Sequence, residues 1–170
     1  MASLIVPARA TRLPESGLVF VRFVADAMLG RLAKWLRILG YDTLYKPAWS
    51  DLHLVRIARA QDRILLTRDL KLARRKGVQV LLMDSDSLDD QLAQLHQVLG
   101  VTGRKPFGRC PVCNERLEPI DKAQARGQVP AYVFAKHEDF YLCRSCNRLY
   151  WRGTHWERMR ERITHWQNEL

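Results

Sequence analysis

The sequence predicts an α/β domain built on a parallel sheet, followed by a small cysteine-bearing β module and a C-terminal helix. Three observations predict it. Up to about residue 99, β-rich apolar runs alternate with amphipathic helical runs. All four cysteines come later, as two Cys-x-x-Cys pairs. Between the two parts lies residues 100–108, a linker with three Gly and Pro106. Strands alternating with helices imply a parallel sheet covered on both faces.

Each element has its own signal. Residues 1–18 (MASLIVPARATRLPESGL) hold one short apolar patch, then Pro, Arg and Ser, and read as a loosely ordered extension without a signal-peptide core. Residues 18–25 form an apolar strand ending at Asp26. Leu29, Leu32, Ala33, Leu36 and Leu39 then recur at helical spacing, and Gly40 suits the helix end. Residues 43–45 are a short strand. Ser50 is the N-cap of a helix over 51–61 that turns Leu54, Val55 and Ala58 inward. Residues 64–66 are a buried strand before Thr67-Arg68-Asp69. A short helix runs to Lys76 and stops at Gly77, and 78–83 is another strand. Residues 88–99 are an amphipathic helix. In the second part, "CPVCNERL" and "CRSCNRLYW" each read as a turn followed by a strand. Between them, 131–134 and 140–142 are strand-like patches, and 154–167 looks helical. The expected division is 1–18 extension, 19–103 α/β domain, and 104–170 β module with its helix.

The 170 residues are 47% hydrophobic, enough for a core, and no run approaches the roughly 20 residues of a membrane span. Net charge is +10: residues 1–103 carry 15 Lys+Arg against 10 Asp+Glu, and 104–170 carry 13 against 8. The excess is spread over both parts, as expected of a folded protein that meets a polyanion such as nucleic acid, or of an ordinary solvated basic surface.

The cysteines carry the sharpest motif. Cys110, Cys113, Cys143 and Cys146 form two knuckles with no cysteine left over. Two disulfides or a redox pair are the alternatives. With no export signal the thiols stay reduced and the expected location is cytoplasmic, so a structural zinc ion in a ribbon is preferred.

A second constellation is acidic. Asp26, Asp69, and Asp84 or Asp86 follow successive strands, and Asp51 opens a helix at the same edge if the topology is regular. Singly each also reads as a cap or turn residue. Together they repel unless a cation joins them, and hard oxygen ligands suit Mg²⁺ or Mn²⁺. Asp42 precedes a strand and is set aside as lying at the wrong edge.

The strings FVADAMLGRLAKWLRILGYDT, SDLHLVRIARAQDRILLTRDLKLARR, GRCPVCNERL and FYLCRSCNRLYWRGTHWERM closely resemble the Mut-seven C-terminal RNase family, a branch of the PIN-like nucleases with an attached zinc ribbon. The resemblance covers about residues 21–162. It implies a PIN-like α/β/α sandwich and metal-dependent cleavage of RNA phosphodiesters. Asp26 matches the first acidic position, Asp51 the acid of the second helix, and Asp69 the acid of the T-x-D element beside Thr67. Asp84 and Asp86 compete for the fourth, with Asp86 taken as the candidate ligand. Arg31, Lys34, Arg37 and Arg68 are candidate phosphate contacts at this edge, and Arg148 and His155 are candidate RNA contacts of the ribbon side. The expected partner is single-stranded or structured RNA. The competing expectation is a non-catalytic RNA-binding module on a PIN-like scaffold.

Overall fold

The computed structural model describes residues 21–103 and 105–168, so the extension at 1–18 and the start of the first expected strand lie outside the described residues. Four parallel strands, β1 (Arg22–Ala25), β2 (Asp42–Tyr45), β3 (Ile64–Thr67) and β4 (Val80–Leu82), form a sheet in the order β2-β1-β3-β4. Between them run a 3-10 turn (Ala27–Leu29) and α1 (Gly30–Ile38), α2 (Asp51–Ala60), and α3 (Leu70–Ala73); α4 (Leu88–Leu99) follows β4.

Strand alternation divides the core between two faces. Phe23, Ala25, Leu66 and Leu81 pack with Leu32 and Leu36 of α1 and with Leu88, Leu92 and Leu95 of α4. Val24 and Leu65 turn the other way, onto Leu54, Val55 and Ala58 of α2 and Leu72 of α3. Each such leucine contributes about 1.5–3 kcal/mol on burial. Gly40, at the end of α1, has φ +93°, and a Cβ there would lie 2.6 Å from the Lys105 carbonyl, so the linker crosses the helix end at backbone contact.

The second part is an antiparallel sheet of β5 (Glu118–Ile120), β6 (Phe140–Cys143) and β7 (Arg148–Trp151), with α5 (Lys122–Ala125) and α6 (Ala131–Lys136) in the insert. Asn114 and Asn147 follow the knuckles with φ +74° and +52°. Asn tolerates this left-handed backbone better than most side chains. Residues 131–134, expected as a strand, form α6 instead. Pro130 is the N-cap with φ −56°, and the helical turn after it packs Val133 with Ala125 and Phe140 in the core of this part. The short helix after Asp69 ends at Ala73 rather than Lys76.

The last helix, α7 (Thr154–Asn168), packs on the α/β part: Ile163 and Trp166 are buried in the core of α1 and α4. Arg162 pairs with Asp89 at 2.7 Å and lies over the Trp35 ring. Among the described residues no helix is long and apolar enough to cross a membrane.

Candidate functional site

Asp26 follows β1, Asp69 follows β3, and Asp51 opens the helix after β2, so all three stand at the carboxyl edge of the parallel sheet. Thr67 ties two of them together. Its hydroxyl donates to Asp26 Oδ2 at 2.8 Å and accepts the Asp69 backbone N–H at 2.9 Å. Asp26 is buried, and its Oδ1 accepts the Ala27 N–H to cap the 3-10 turn. Asp69 Oδ1 caps α3 by accepting the N–H groups of Lys71 and Leu72. Capping and a site role are therefore compatible, because it uses one oxygen of the carboxylate. Asp51 is exposed in the first turn of α2, where Ser50 is the cap. Asp84 and Asp86 follow β4 and are exposed. Asp84 Oδ2 accepts from Gln94 at 3.0 Å, whereas Asp86 has no side-chain partner among the described residues.

These carboxylates are not drawn into a tight cage. Among the described residues, the four cysteines are the one group of three or more His, Cys, Asp or Glu whose ligand atoms all lie within 4.8 Å of one another. Cys110 and Cys146 sulfurs are 3.7 Å apart and Cys113 and Cys143 sulfurs 3.3 Å. Disulfides need about 2.05 Å. A tetrahedral zinc with Zn–S near 2.3 Å places its sulfurs about 3.8 Å apart, so the cluster fits a zinc ribbon. The Tyr150 hydroxyl meets Cys110 Sγ at 3.0 Å. Burial raises the Cys110 pKa, but Tyr150 and the N–H groups of Cys113 and Val112 outweigh it, leaving about 7. Burial chiefly pushes Cys143 up to about 12. A dication among the sulfurs would deprotonate them all.

The opposite, amino edge of the sheet holds the first knuckle. Asn114 Oδ1 accepts the Thr43 N–H at 2.9 Å on the free side of β2, and its amide donates to Asp42 Oδ1 at 2.7 Å. Arg63 Nη1 donates to Asp42 Oδ1 at 2.8 Å, and Arg109 lies 3.8 Å from Asp42 Oδ2. Burial works to raise the Asp42 pKa, but the hydrogen bonds from Arg63 and Asn114 and the two cations prevail and hold it below the ordinary carboxylate value.

Arg37 is a correction to the expected phosphate contacts. It is buried, and it donates to the Thr43 carbonyl at 2.8 Å and to the knuckle carbonyls of Pro111 and Val112 at 3.1 and 2.8 Å. The knuckle partners lie more than seventy positions downstream, too far for local spacing to announce. Burial lowers its pKa from the ordinary arginine value. Arg31 and Lys34 are exposed on α1, and Arg68 is half-buried between Thr67 and Asp69. Arg148, opening β7, and His155, in the first turn of α7, are exposed on elements other than the acidic edge. Sequence reasoning also missed Met28, Leu52 and Leu70, exposed beside the acids; their absence from the inward helical spacing was the available signal.

Neither curated proteins nor solved structures include a match to the chain. The family model described as Mut7-C RNAse domain matches residues 21–163, through sheet, ribbon and most of α7. On that match over most of its length, the chain belongs to the Mut7-C RNAse domain family.

Proposed function

We propose that the protein is a metal-dependent ribonuclease that cleaves RNA phosphodiester bonds at the carboxyl edge of its parallel sheet. The observation that carries this reading is the Asp26–Thr67–Asp69 arrangement just past the ends of two adjacent strands, in which one hydroxyl bonds the Asp26 carboxylate and the Asp69 backbone N–H. The donor set is all oxygen, which suits Mg²⁺ or Mn²⁺. Magnesium keeps several waters and takes one or two carboxylates directly, which accords with acids that are not caged. Asp26, Asp51 and Asp69 would hold the ion, with Asp86 as the candidate fourth ligand. When bound, it supplies Lewis-acid activation of water and neutralises phosphate charge.

The chain's own residues do the rest. Thr67 fixes the Asp26 carboxylate by donating to Oδ2, leaving that group oriented. Arg31, Lys34 and Arg68 steer and hold the anionic backbone. The ribbon, closed by zinc on Cys110, Cys113, Cys143 and Cys146, extends the grip through Arg148, and the start of α7 through His155. A zinc–thiolate ribbon suits a reducing compartment, and we place the protein in the cytoplasm.

Purified protein should cleave RNA with Mn²⁺ added, and Asp26→Asn should reduce cleavage on the order of 10³-fold while the protein stays folded at the assay temperature. Cleavage that survives Asp26→Asn excludes this site. The second reading, an RNA-binding module without turnover, draws on the uncaged spacing of the acids. It predicts salt-sensitive RNA binding and no cleavage under any divalent cation.

A further inference from the structure

Three large apolar side chains stand in solvent directly beside the acids. Met28 is 62% exposed, Leu52 60% and Leu70 57%. Met28 lies two residues after Asp26, Leu52 one after Asp51, and Leu70 one after Asp69. The core has no place for them. The 3-10 turn buries Leu29, α2 buries Leu54, Val55 and Ala58, and α3 buries Leu72. Scattered exposed apolar residues need no explanation, but these three follow three neighbouring parallel strands and so share one end of the sheet with the acids.

The neighbouring charge says what kind of ligand fits. Arg31, Arg68 and Lys71 stand at the same edge, and none of their side chains has a hydrogen bond or ion pair among the described residues. A ligand that satisfies this surface carries anionic groups for the cations and flat apolar faces for the rim. A nucleic-acid strand with accessible bases carries both. A duplex, with its bases stacked inside, offers mainly phosphates and leaves the rim wet.

We infer that Met28, Leu52 and Leu70 form a base-contacting rim, so that this edge grips a strand by its nucleobases as well as its phosphates. The inference rests on the nucleic-acid reading of the edge given above. The rim selects for base-bearing strands, and Arg31, Arg68 and Lys71 add sequence-independent attraction.

The test uses the full-length, zinc-loaded protein without added magnesium or manganese, so that binding is read without turnover. Fluorescence anisotropy compares a short single-stranded RNA with an oligonucleotide of equal length whose central residues are abasic. The native protein should bind the base-bearing strand about tenfold tighter. The combined variant Met28→Gln, Leu52→Gln, Leu70→Gln should bind both at the abasic level, with an unchanged circular dichroism spectrum. Leu70→Gln alone, the second variant, should show a smaller loss of the same kind.

Equal affinity of the native protein for both probes overturns the rim. So does a variant that weakens both probes by the same factor, or one that only dissociates a dimer of this chain in sedimentation while RNA affinity stays put. A parallel Mn²⁺ cleavage assay separates the two readings. Cleavage without base preference removes the rim and leaves the nuclease. A rim-dependent base preference without cleavage keeps the rim and removes the nuclease.

Discussion

The two edges of the four-stranded sheet use the same residue type in opposite ways. At the amino edge, Asp42 is surrounded by protein: Arg63, Asn114 and Arg109 converge on it, and its charge is neutralised from within. At the carboxyl edge, the Asp26 carboxylate and the Asp69 backbone share a threonine hydroxyl, while Asp51 and Asp86 stand exposed. No salt bridge engages any of these four among the described residues. An acid answered by protein cations holds a fold together. An acid left without them is available to a cation from solution.

The largest expected effect falls on the amino edge. Stripping zinc releases both knuckles, and with them Asn114 and the carbonyls that hold Arg37. Structural zinc in small ribbons is worth on the order of 10 kcal/mol. Chelation under reducing conditions should therefore lower the melting temperature of the α/β part as well as the ribbon. A ribbon that melts alone, with the α/β transition unmoved, would break the comparison.

The next effect belongs to the carboxyl edge. Asp26→Asn should cost on the order of 10³ in cleavage rate and about 1 kcal/mol in stability, because the single amide oxygen can keep the Thr67 bond or the Ala27 cap but not both. Asp42→Ala should do the reverse. Leaving Arg63 buried without its partner costs about 3 kcal/mol, read as a lower denaturant midpoint, and RNA cleavage below the melting point should be retained. If Asp42→Ala abolished activity in a folded protein, the edges would not be separate in role.

The smallest effect is on pH. The folded-state pKa of Asp42 is depressed, so its contribution is fully present above the ordinary unfolded value of about 3.9 and is lost as pH falls through the lower folded one. Stability of the native protein should therefore drop below about pH 4, and Asp42→Asn should flatten that limb. An equal slope in the variant would show that other carboxylates dominate it.

The alternation of elements and the carboxyl-edge position of Asp26, Asp51 and Asp69 were legible in the sequence, because periodicity and strand ends are local properties. The cysteine cluster was legible from spacing. The amino-edge lock was not. Arg37 read as a candidate phosphate contact, and Asn114 carried no signal of its own, because their partners depend on how two distant segments meet. Residues 131–134 misled for a related reason. Their apolar content suits a strand, and only the packing of Val133 with Ala125 and Phe140 decides for a helix.

The placement of α7 also bears on the order in which the chain can fold. Its Ile163 and Trp166 complete a core begun by α1 and α4, with the whole ribbon in between. During synthesis, the core of α1 and α4 stays incomplete until the ribbon has been made and the helix after it has emerged. A chain halted before Thr154 would leave Leu36 and Leu95 without their full cover, a sticky surface of the kind that chaperones and proteases recognise.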